Sequence, residues 1–533
     1  MWTLPGDNGA VYEGREIKHV FTKVGRHEVL LTQTVAATGE RHYLHDYVMV
    51  KYVRRELRGL NDQDRSAFFD ALETLYRLPT AQGVKLYGSD YKGIEFFVQM
   101  HLDGAGLKDC DHWHDDAGIM THHVAYTLQF EQALQLVDPS VSIPYWEYTI
   151  EYTQDLDSYG ESEIFGSDWF GEFSPANDMH TVIEGRWAYL PVMKDAWDYV
   201  HNSYGLLRAP WNLDPTPYVT RHNETSGMTA TMDFAMVTCS TYSSCFASDS
   251  LSGMNSCLNG ETHGPVHILI GGEWLAAEEE FIQKVGYYES VPLVSKFLWR
   301  KGYLRIPDTC TAGSAEECVT SCPSNLYESK GMTPYDVLMD VHALTWMAHT
   351  SHGTIAYDSK SGRFNVAGHE EDDDFQEAFW MKMLSSFCNP GQVGEMYTSS
   401  APYDPLFWVV HPTSERLLSW RRMLGQDGIE GWDFDETWGY KHGNVVGETG
   451  TVCNWDHVRA GTNDMPSCVL GTCGGHHETD MLPFKVKLNG EITQLSNAEW
   501  MTLIYPTNEE LPYMYDEFNW DHCSDDGYDF GTS

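Results

Sequence analysis

The chain has 533 residues, of which 42% are hydrophobic and 13% aromatic, enough for one large domain with insertions or for two ordinary domains. Its net charge of −44 excludes nucleic acid and anionic membrane surfaces as expected partners, because both would repel it. No apolar stretch reaches the about 18 residues that a transmembrane helix needs, so we expect none.

The twelve cysteines favour an oxidising compartment, either extracellular or the lumen of an organelle. Their number is even, and many lie in loops rich in Gly, Ser, Thr and Asn, the usual setting of disulfide bonds. Asn223-Glu224-Thr225 is in addition an N-glycosylation sequon. The sequence therefore predicts a secreted, disulfide-bonded glycoprotein. The loop cysteines are Cys239, Cys245, Cys257, Cys310, Cys318, Cys322, Cys453, Cys468 and Cys473.

Taken in chain order, the sequence begins with strands and continues mainly with helices. Residues 1–50 alternate apolar and polar side chains, as strands do. From Tyr52 the apolar side chains recur at helical spacing, with Asn61-Asp62 as a cap between two helices. A strand is predicted at 484–488. The further predicted helices are 91–101, 117–136, 263–270, 335–347 and 406–422.

Histidines at helical spacing point to a metal centre. His263 and His267 are four residues apart, which places both imidazoles on one face of a helix. Neutral imidazole is a ligand for copper and zinc. The inward-facing side chains of a four-helix bundle can hold a pair of metal ions. The other candidate ligands are His101, His112, His114, His122, His123 and His411.

Five segments together resemble the motifs of a known family. Residues 263–272 read HGPVHILIGG, residues 404–416 read DPLFWVVHPTSER, and residues 122–134 read HHVAYTLQFEQAL. PYWEY at 144–148 and LPYMYD at 511–516 complete the set. The chain thereby resembles the type-3 copper proteins, which comprise tyrosinases, catechol oxidases and molluscan haemocyanins.

The resemblance implies a mainly α fold, a four-helix bundle that holds a dicopper centre, with loop-rich insertions and short β elements at both ends. It implies two copper ions, one bound by His101, His114 and His123 and the other by His263, His267 and His411. His112 remains an alternative to His114, and Cys110 is a candidate for a thioether bond to a ligand histidine. Dioxygen and a small phenolic substrate are the implied partners, with o-diphenol oxidation to o-quinones as the implied reaction.

Gly264 departs from the family pattern, since tyrosinases carry Asn after the first ligand of this motif. That Asn is thought to help take the proton from a monophenol, and glycine has no side chain for this role. We therefore expect diphenol oxidation and doubt monophenol hydroxylation. Glu261 is a candidate water-orienting acid, and Phe407 and Glu131 are expected beside the ligands as gating or supporting residues.

His267 and His411 are separated by 144 residues, far more than is usual in the family. We therefore divide the chain into a strand-rich segment at 1–50, a copper domain at 51–425 and a segment rich in Cys, Gly and Asp at 426–533. An insertion at 273–390 would serve as a lid, a peripheral decoration or a contact in a homo- or hetero-oligomer. Two other functions stay open, a non-catalytic structural protein and a haemocyanin-like oxygen carrier.

Overall fold

The computed structural model describes most of the 533-residue chain. The described residues are 1–105, 113–114, 117–154, 156, 158–192, 214, 216–225, 228–229, 237–248, 251–287, 291–305, 319–348, 353–424, 440–441, 451–453 and 478–531.

The fold is mainly α, as the sequence predicts. The helices are α1 (Asp62–Arg77), α2 (Thr80–Tyr87), α3 (Ile94–Ala105), α4 (Val124–Val137), α5 (Thr149–Thr153), α6 (Cys239–Phe246), α7 (Leu251–Ser256), α8 (Gly264–Gly271), α9 (Glu279–Val285), α10 (Val291–Arg300), α11 (Asn325–Glu328), α12 (Pro334–Asp340), α13 (Ala343–Met347), α14 (Asp373–Cys388), α15 (Phe407–Met423), α16 (Asn497–Leu503) and α17 (Asp521–Asp525). Two π-helical turns, Ile119–His123 and Cys257–Glu261, precede α4 and α8.

The strands are short except at the amino terminus. They are β1 (Trp2–Leu4), β2 (Ala10–Tyr12), β3 (Gly25–Thr34), β4 (Arg41–Val50), β5 (Tyr52–Arg54), β6 (Glu224–Thr225), β7 (Met228–Thr229), β8 (Glu273–Trp274), β9 (Ile355–Asp358), β10 (Arg363–Val366), β11 (Gln392–Val393), β12 (Tyr440–Lys441), β13 (Thr451–Cys453), β14 (Val486–Leu488), β15 (Glu491–Thr493) and β16 (Tyr513–Tyr515). The first four form one antiparallel sheet in the order β2-β1-β3-β4, and the others pair two by two. The strands predicted within 1–50 are therefore confirmed.

Helix α1 begins where the sequence places its cap. The Asn61 side chain accepts a hydrogen bond from the Asp64 N–H, which satisfies one of the free N–H groups of the first turn. Phe68, Leu72 and Leu75 follow at helical spacing and are buried against the core.

Two predicted helices differ in the structure. The segment that starts at Tyr52 forms strand β5, which pairs in parallel with β16 so that Tyr52 lies opposite Tyr513. Pairing with a strand from the far end of the chain is a tertiary effect that local spacing does not reveal. The helix predicted over 335–347 is divided into α12 and α13 by His342, whose φ of 58° lies outside the helical region.

The described residues form two hydrophobic cores. One draws its side chains from residues 57–270 and 396–530, and the other from residues 282–388. Strands β8 and β11 pair where the chain leaves the first core and where it returns. The segment between them thus folds around its own core. The domain bounds given above remain a prediction.

Three disulfide bonds join described residues: Cys239–Cys523, Cys245–Cys257 and Cys322–Cys388. The first connects α6 to α17, and the third lies within the second core. Cys310, Cys318, Cys468 and Cys473 lie outside the described residues. Every helix within the described ranges is too short or too polar to span a bilayer.

A buried ion network fastens β5 to the two long helices α4 and α15. The Arg54 guanidinium is fully buried and donates to Glu131 Oε2 at 2.7 Å and to Glu415 Oε2 at 2.6 Å. The hydroxyls of Tyr513 and Tyr515 on β16 donate to the same Glu415 carboxylate. Four elements that are distant in sequence are therefore connected through one cation.

Replacing Arg54 with Ala should destabilise the fold strongly, because Glu131 and Glu415 would stay buried without their counter-charge. We expect the free energy of unfolding to fall by about 3–5 kcal/mol, measured as a lower denaturant midpoint. Arg55→Ala is the matched control, since Arg55 pairs with Asp64 while the two side chains are 37% and 41% exposed. That pair should contribute at most about 1 kcal/mol. Equal losses in the two variants would contradict this view of Arg54.

Candidate metal centre

Six histidines converge between helices α3, α4, α8 and α15. They form two groups of three, and within each group the nearest ring nitrogens lie within 4.8 Å of one another. The first triad is His101, His114 and His123, and the second is His263, His267 and His411. These are the six residues that the family resemblance implies as ligands, with His114 and not the alternative His112, which lies outside the described residues.

The six histidines lie on different kinds of secondary structure. His101, His267 and His411 lie within α3, α8 and α15, and His123 ends the π-helical turn before α4. His114 lies on a turn beside Trp113. His263 is the residue before the first turn of α8, with φ −138° and ψ −27°, and not part of the helix. The expectation that His263 and His267 share one helical face is therefore wrong, although both imidazoles reach one point.

The two triads are in contact with each other. The rings of His123 and His411 are stacked, with centroids 4.7 Å apart and planes inclined by 6°. The Phe407 ring lies one turn before His411, 4.0 Å from the His411 ring and 5.4 Å from the His101 ring. It is fully buried, so it forms an apolar wall that touches both triads.

Backbone carbonyls fix the orientation of five of the six rings. A carbonyl oxygen accepts only from a protonated nitrogen, so each bond places the proton on Nδ1 and leaves the Nε2 lone pair for a ligand. The Nδ1 partners are Ser399 O for His101 (2.6 Å), Trp113 O for His123 (2.9 Å), Leu258 O and Asn259 O for His263 (3.0 Å each), Met396 O for His267 (2.9 Å) and Phe407 O for His411 (2.7 Å).

The resulting Nε2 atoms fit a pair of metal ions. The Nε2 atoms of His267 and His411 are buried and have no hydrogen-bond partner among the described residues. The Nε2 atoms of His101 and His123 face each other at 3.3 Å, an arrangement that two neutral lone pairs do not favour by themselves. A cation that accepts these lone pairs removes both costs.

The environment keeps four of the imidazoles neutral, as metal ligands must be. Burial, with a further contribution from neighbouring imidazoles, holds the pKa of His123, His267 and His411 well below its ordinary value. Burial lowers the pKa of His263 to about 4.

The family comparison agrees with this geometry. Residues 91–287 match the family model described as the common central domain of tyrosinase. The match includes the first triad together with His263 and His267, and His411 lies beyond it. This part of the chain is similar to the type-3 copper family. Two copper ions are the cofactor of that family, and the two triads could hold them.

Individual relatives match only parts of this chain. A tyrosinase-like protein of Pinctada maxima is 24% identical over 154 residues, 28% of this chain and 30% of that protein. Grixazone synthase of Streptomyces griseus is 37% identical over 54 residues, 10% of this chain and 18% of that protein. The matched region thus spans less than a third of either relative. A polyphenol oxidase variant from Thermothelomyces thermophila has a TM-score of 0.42 and 12% identity, with 88% of this chain and 89% of that chain covered.

Gly264 lies against the backbone of the π-helical turn. A Cβ at this position would come within 2.9 Å of the Asn259 carbonyl oxygen, the same oxygen that accepts from His263 Nδ1. Any side chain at 264 would therefore displace a group that orients a copper-site histidine.

The remaining predicted site residues, as far as they are described, do not hydrogen-bond to the triads. Glu261 is exposed at the end of the π-helical turn, and within the described ranges it has no hydrogen bond to either triad. The structure corrects the prediction that Glu131 supports a copper-site histidine. Its carboxylate instead accepts hydrogen bonds from Arg54, Ser142 Oγ and Ile143 N. Cys110 and His112 lie outside the described residues. A third group, Cys239, His522 and Cys523, has its two sulfurs in a disulfide bond and is not a comparable site.

Sequence reasoning missed the groups that position the imidazoles. Met396 and Ser399 act through their carbonyls, which every residue type possesses, so side-chain identity gives no signal. The buried Asn255 side chain accepts from Ile119 N at 2.9 Å and donates to His114 O at 2.9 Å. It joins α7 to the turn that carries His114, and nothing in its local sequence sets it apart.

Gly264→Ala should destabilise the chain by about 1–3 kcal/mol and lower its copper content, because the added methyl group pushes the Asn259 carbonyl away from His263. Thermal unfolding and metal analysis measure the two effects. Gly260→Ala is the control from the preceding turn, where a Cβ would meet nothing within 4 Å. A stable variant with full copper content would show that the close approach is not needed.

The copper-free chain should lose stability as the pH falls from about 6.5 towards 4. Because the histidine pKa values are lowered in the folded state, the unfolded chain binds more protons in this range. The contribution is complete above pH 6.5 and lost as the pH approaches 4. The urea midpoint measures it. His411→Asn should reduce the pH dependence, and an unchanged dependence in this variant would contradict the explanation.

Proposed function

We propose that this protein is an oxidase that uses dioxygen to convert o-diphenols into o-quinones. The observation that carries the proposal is the contact between two imidazole triads in which backbone carbonyls orient five of the six rings. Their bound copper ions would supply reversible one-electron chemistry and a binding place for dioxygen and phenolic oxygen. The tyrosinase domain match supports the same class of reaction.

In this proposal His101, His114 and His123 hold one copper ion, and His263, His267 and His411 hold the other. His114 and His267 are the partly exposed members of their triads, whereas the other four are buried. We infer that a substrate approaches from the side of His114 and His267. Phe407, on the buried side, closes the centre with an apolar ring and excludes water there.

The reaction balances without a further co-reactant. Two o-diphenols each lose two electrons and two protons and become o-quinones. One dioxygen takes up the four electrons and four protons and becomes two waters. The protein's own part is to hold five of the six Nε2 lone pairs in place through the carbonyl bonds and to keep the four buried or largely buried imidazoles of His123, His263, His267 and His411 neutral, so that these do not compete for the substrate's protons.

The environment of Gly264 supports diphenol oxidation over monophenol hydroxylation. A monophenol needs a base that takes its hydroxyl proton, and position 264 offers no amide that could fix a water for this purpose. The nearest acid in sequence, Glu261, is exposed. Its role as a water-orienting acid remains a prediction.

The disulfide bonds between described cysteines support an extracellular or organelle-lumen location, since such bonds persist in oxidising compartments. Asn223, the sequon residue, is partly exposed and its amide oxygen accepts from Ser174 Oγ at 3.0 Å. We therefore propose that Asn223 is glycosylated.

Oxygen uptake by the copper-loaded protein tests the proposed activity. Catechol should be consumed and phenol should be slower by on the order of 10²- to 10⁴-fold, the usual contribution of a positioned base. His411→Ala should abolish uptake with catechol and lower the copper content. His369→Ala is the control, since His369 is exposed and lies in the segment that folds around the second core. Full copper content without uptake on either compound would overturn the proposal in favour of a carrier or structural role.

A further inference from the structure

The amino-terminal sheet ends in an unprotected edge strand. Strand β4 has ten residues in unbroken register with β3 and pairs with no second strand in the described part of the chain. Its large side chains are unusually exposed, with Tyr43 at 71%, Leu44 at 62% and Tyr47 at 45%. Proteins usually block such edges with lysine, proline or a bulge, and β4 has none of the three.

The free backbone groups of β4 can be assigned to particular residues. Val35 N donates to Glu40 O, and hydrogen-bonded pairs alternate along an antiparallel ladder. The even-numbered residues of β4 therefore bond to β3, and the odd-numbered residues direct their N–H and C=O groups outward. The Tyr47 N–H agrees with this assignment, because it donates to the Asp46 side chain at 2.8 Å and not to β3.

The charge distribution favours a second copy of this chain at the edge. Residues 1–50 contain five Lys or Arg and six Asp or Glu, a net charge of −1, whereas the whole chain carries −44. Two copies repel each other least where these neutral sheets face one another. An acidic or basic partner would gain little from so balanced a surface.

One antiparallel register makes β4 complementary to itself. With a two-fold axis at Leu44, outward-facing residues meet outward-facing residues, as the ladder requires. His42 then lies opposite Asp46 of the second copy, Tyr43 opposite His45, and Arg41 opposite Tyr47. The two Leu44 side chains meet at the axis. A register centred on Asp46 would instead place two carboxylates opposite each other, which is unfavourable.

We propose that β4 is a homodimer interface, in which two copies join their amino-terminal sheets edge to edge around Leu44 into one continuous sheet. The pairing satisfies the free backbone groups of the edge and covers Leu44 and the neighbouring tyrosines. It does not depend on the proposed oxidase activity, because the triads and β4 share no residue.

Leu44→Cys in the otherwise intact protein tests the register. Leu44 would occupy a non-hydrogen-bonded pair at the axis, where the Cα atoms of an antiparallel ladder are close enough for a disulfide bond. Mild oxidation should convert most of the variant into a species of twice the 60.6 kDa chain mass on a non-reducing gel. Val48→Cys is the control, since Val48 would face Glu40 of the second copy. Linkage through Val48 but not Leu44, or through neither, would overturn the proposal.

Exchanging the paired residues His42 and Asp46 tests the proposed contacts across the dimer, with the molecular mass in solution as the readout. Light scattering across a concentration series should show a dimer for the natural sequence. Asp46→Lys should raise the dissociation constant at least about tenfold, because the acceptor for His42 is lost, and the double variant His42→Asp/Asp46→Lys should restore the dimer with the pair reversed. Unchanged circular dichroism and copper content would confirm that the variants fold. A monomer at every concentration, or a double variant without recovery, would overturn the proposal.

Discussion

The hydrogen bonds from imidazole Nδ1 to backbone carbonyls are the constraint on which the copper centre depends. They fix the tautomer and the direction of five rings, and they draw on the turn at Trp113, the π-helical turn before α8, the segment at 395–400 and α15. Two of the carbonyls, those of Met396 and Ser399, serve different triads from the stretch where the chain returns from the second core. The position of that return therefore affects both triads, although neither triad includes a residue of the second core.

Buried ion pairs hold the helices that bear the histidines. Arg54 joins α4 to α15 through Glu131 and Glu415. Arg416, the residue after Glu415, donates to Glu147 Oε2 at 3.0 Å, and Arg221 binds Asp404 just before α15. A buried charge without a partner is costly, so an arrangement of α15 that loses these pairs is strongly disfavoured. This restricts where His411, one turn before Glu415, can lie.

The sequence predicted the parts of the molecule that rest on side-chain identity and local spacing. The mainly α fold, the strands of residues 1–50 and the cap of α1 at Asn61 follow from such patterns, and the motifs selected the six histidines that converge. The parts that rest on distant pairing could not be read locally. The segment of strand β5 is predicted to be helical from the spacing of its apolar residues. Its partner strand, β16, lies more than 400 residues away, so local sequence does not reveal the pairing. Glu131 belongs to the family motif at 122–134 and is therefore expected beside the ligands, yet its carboxylate accepts from Arg54.

The π-helical turn before α8 places a backbone carbonyl directly against Gly264. In a π-helical turn an N–H reaches back five residues, as Thr262 N does to Cys257 O. The carbonyls of Leu258 and Asn259 are then left for a side-chain donor, and His263 Nδ1 takes both. This draws the Asn259 carbonyl against the first turn of α8, where a Cβ would lie 2.9 Å from it. The same geometry that orients His263 thus brings the Asn259 carbonyl so close to position 264 that a larger residue there would have to displace it.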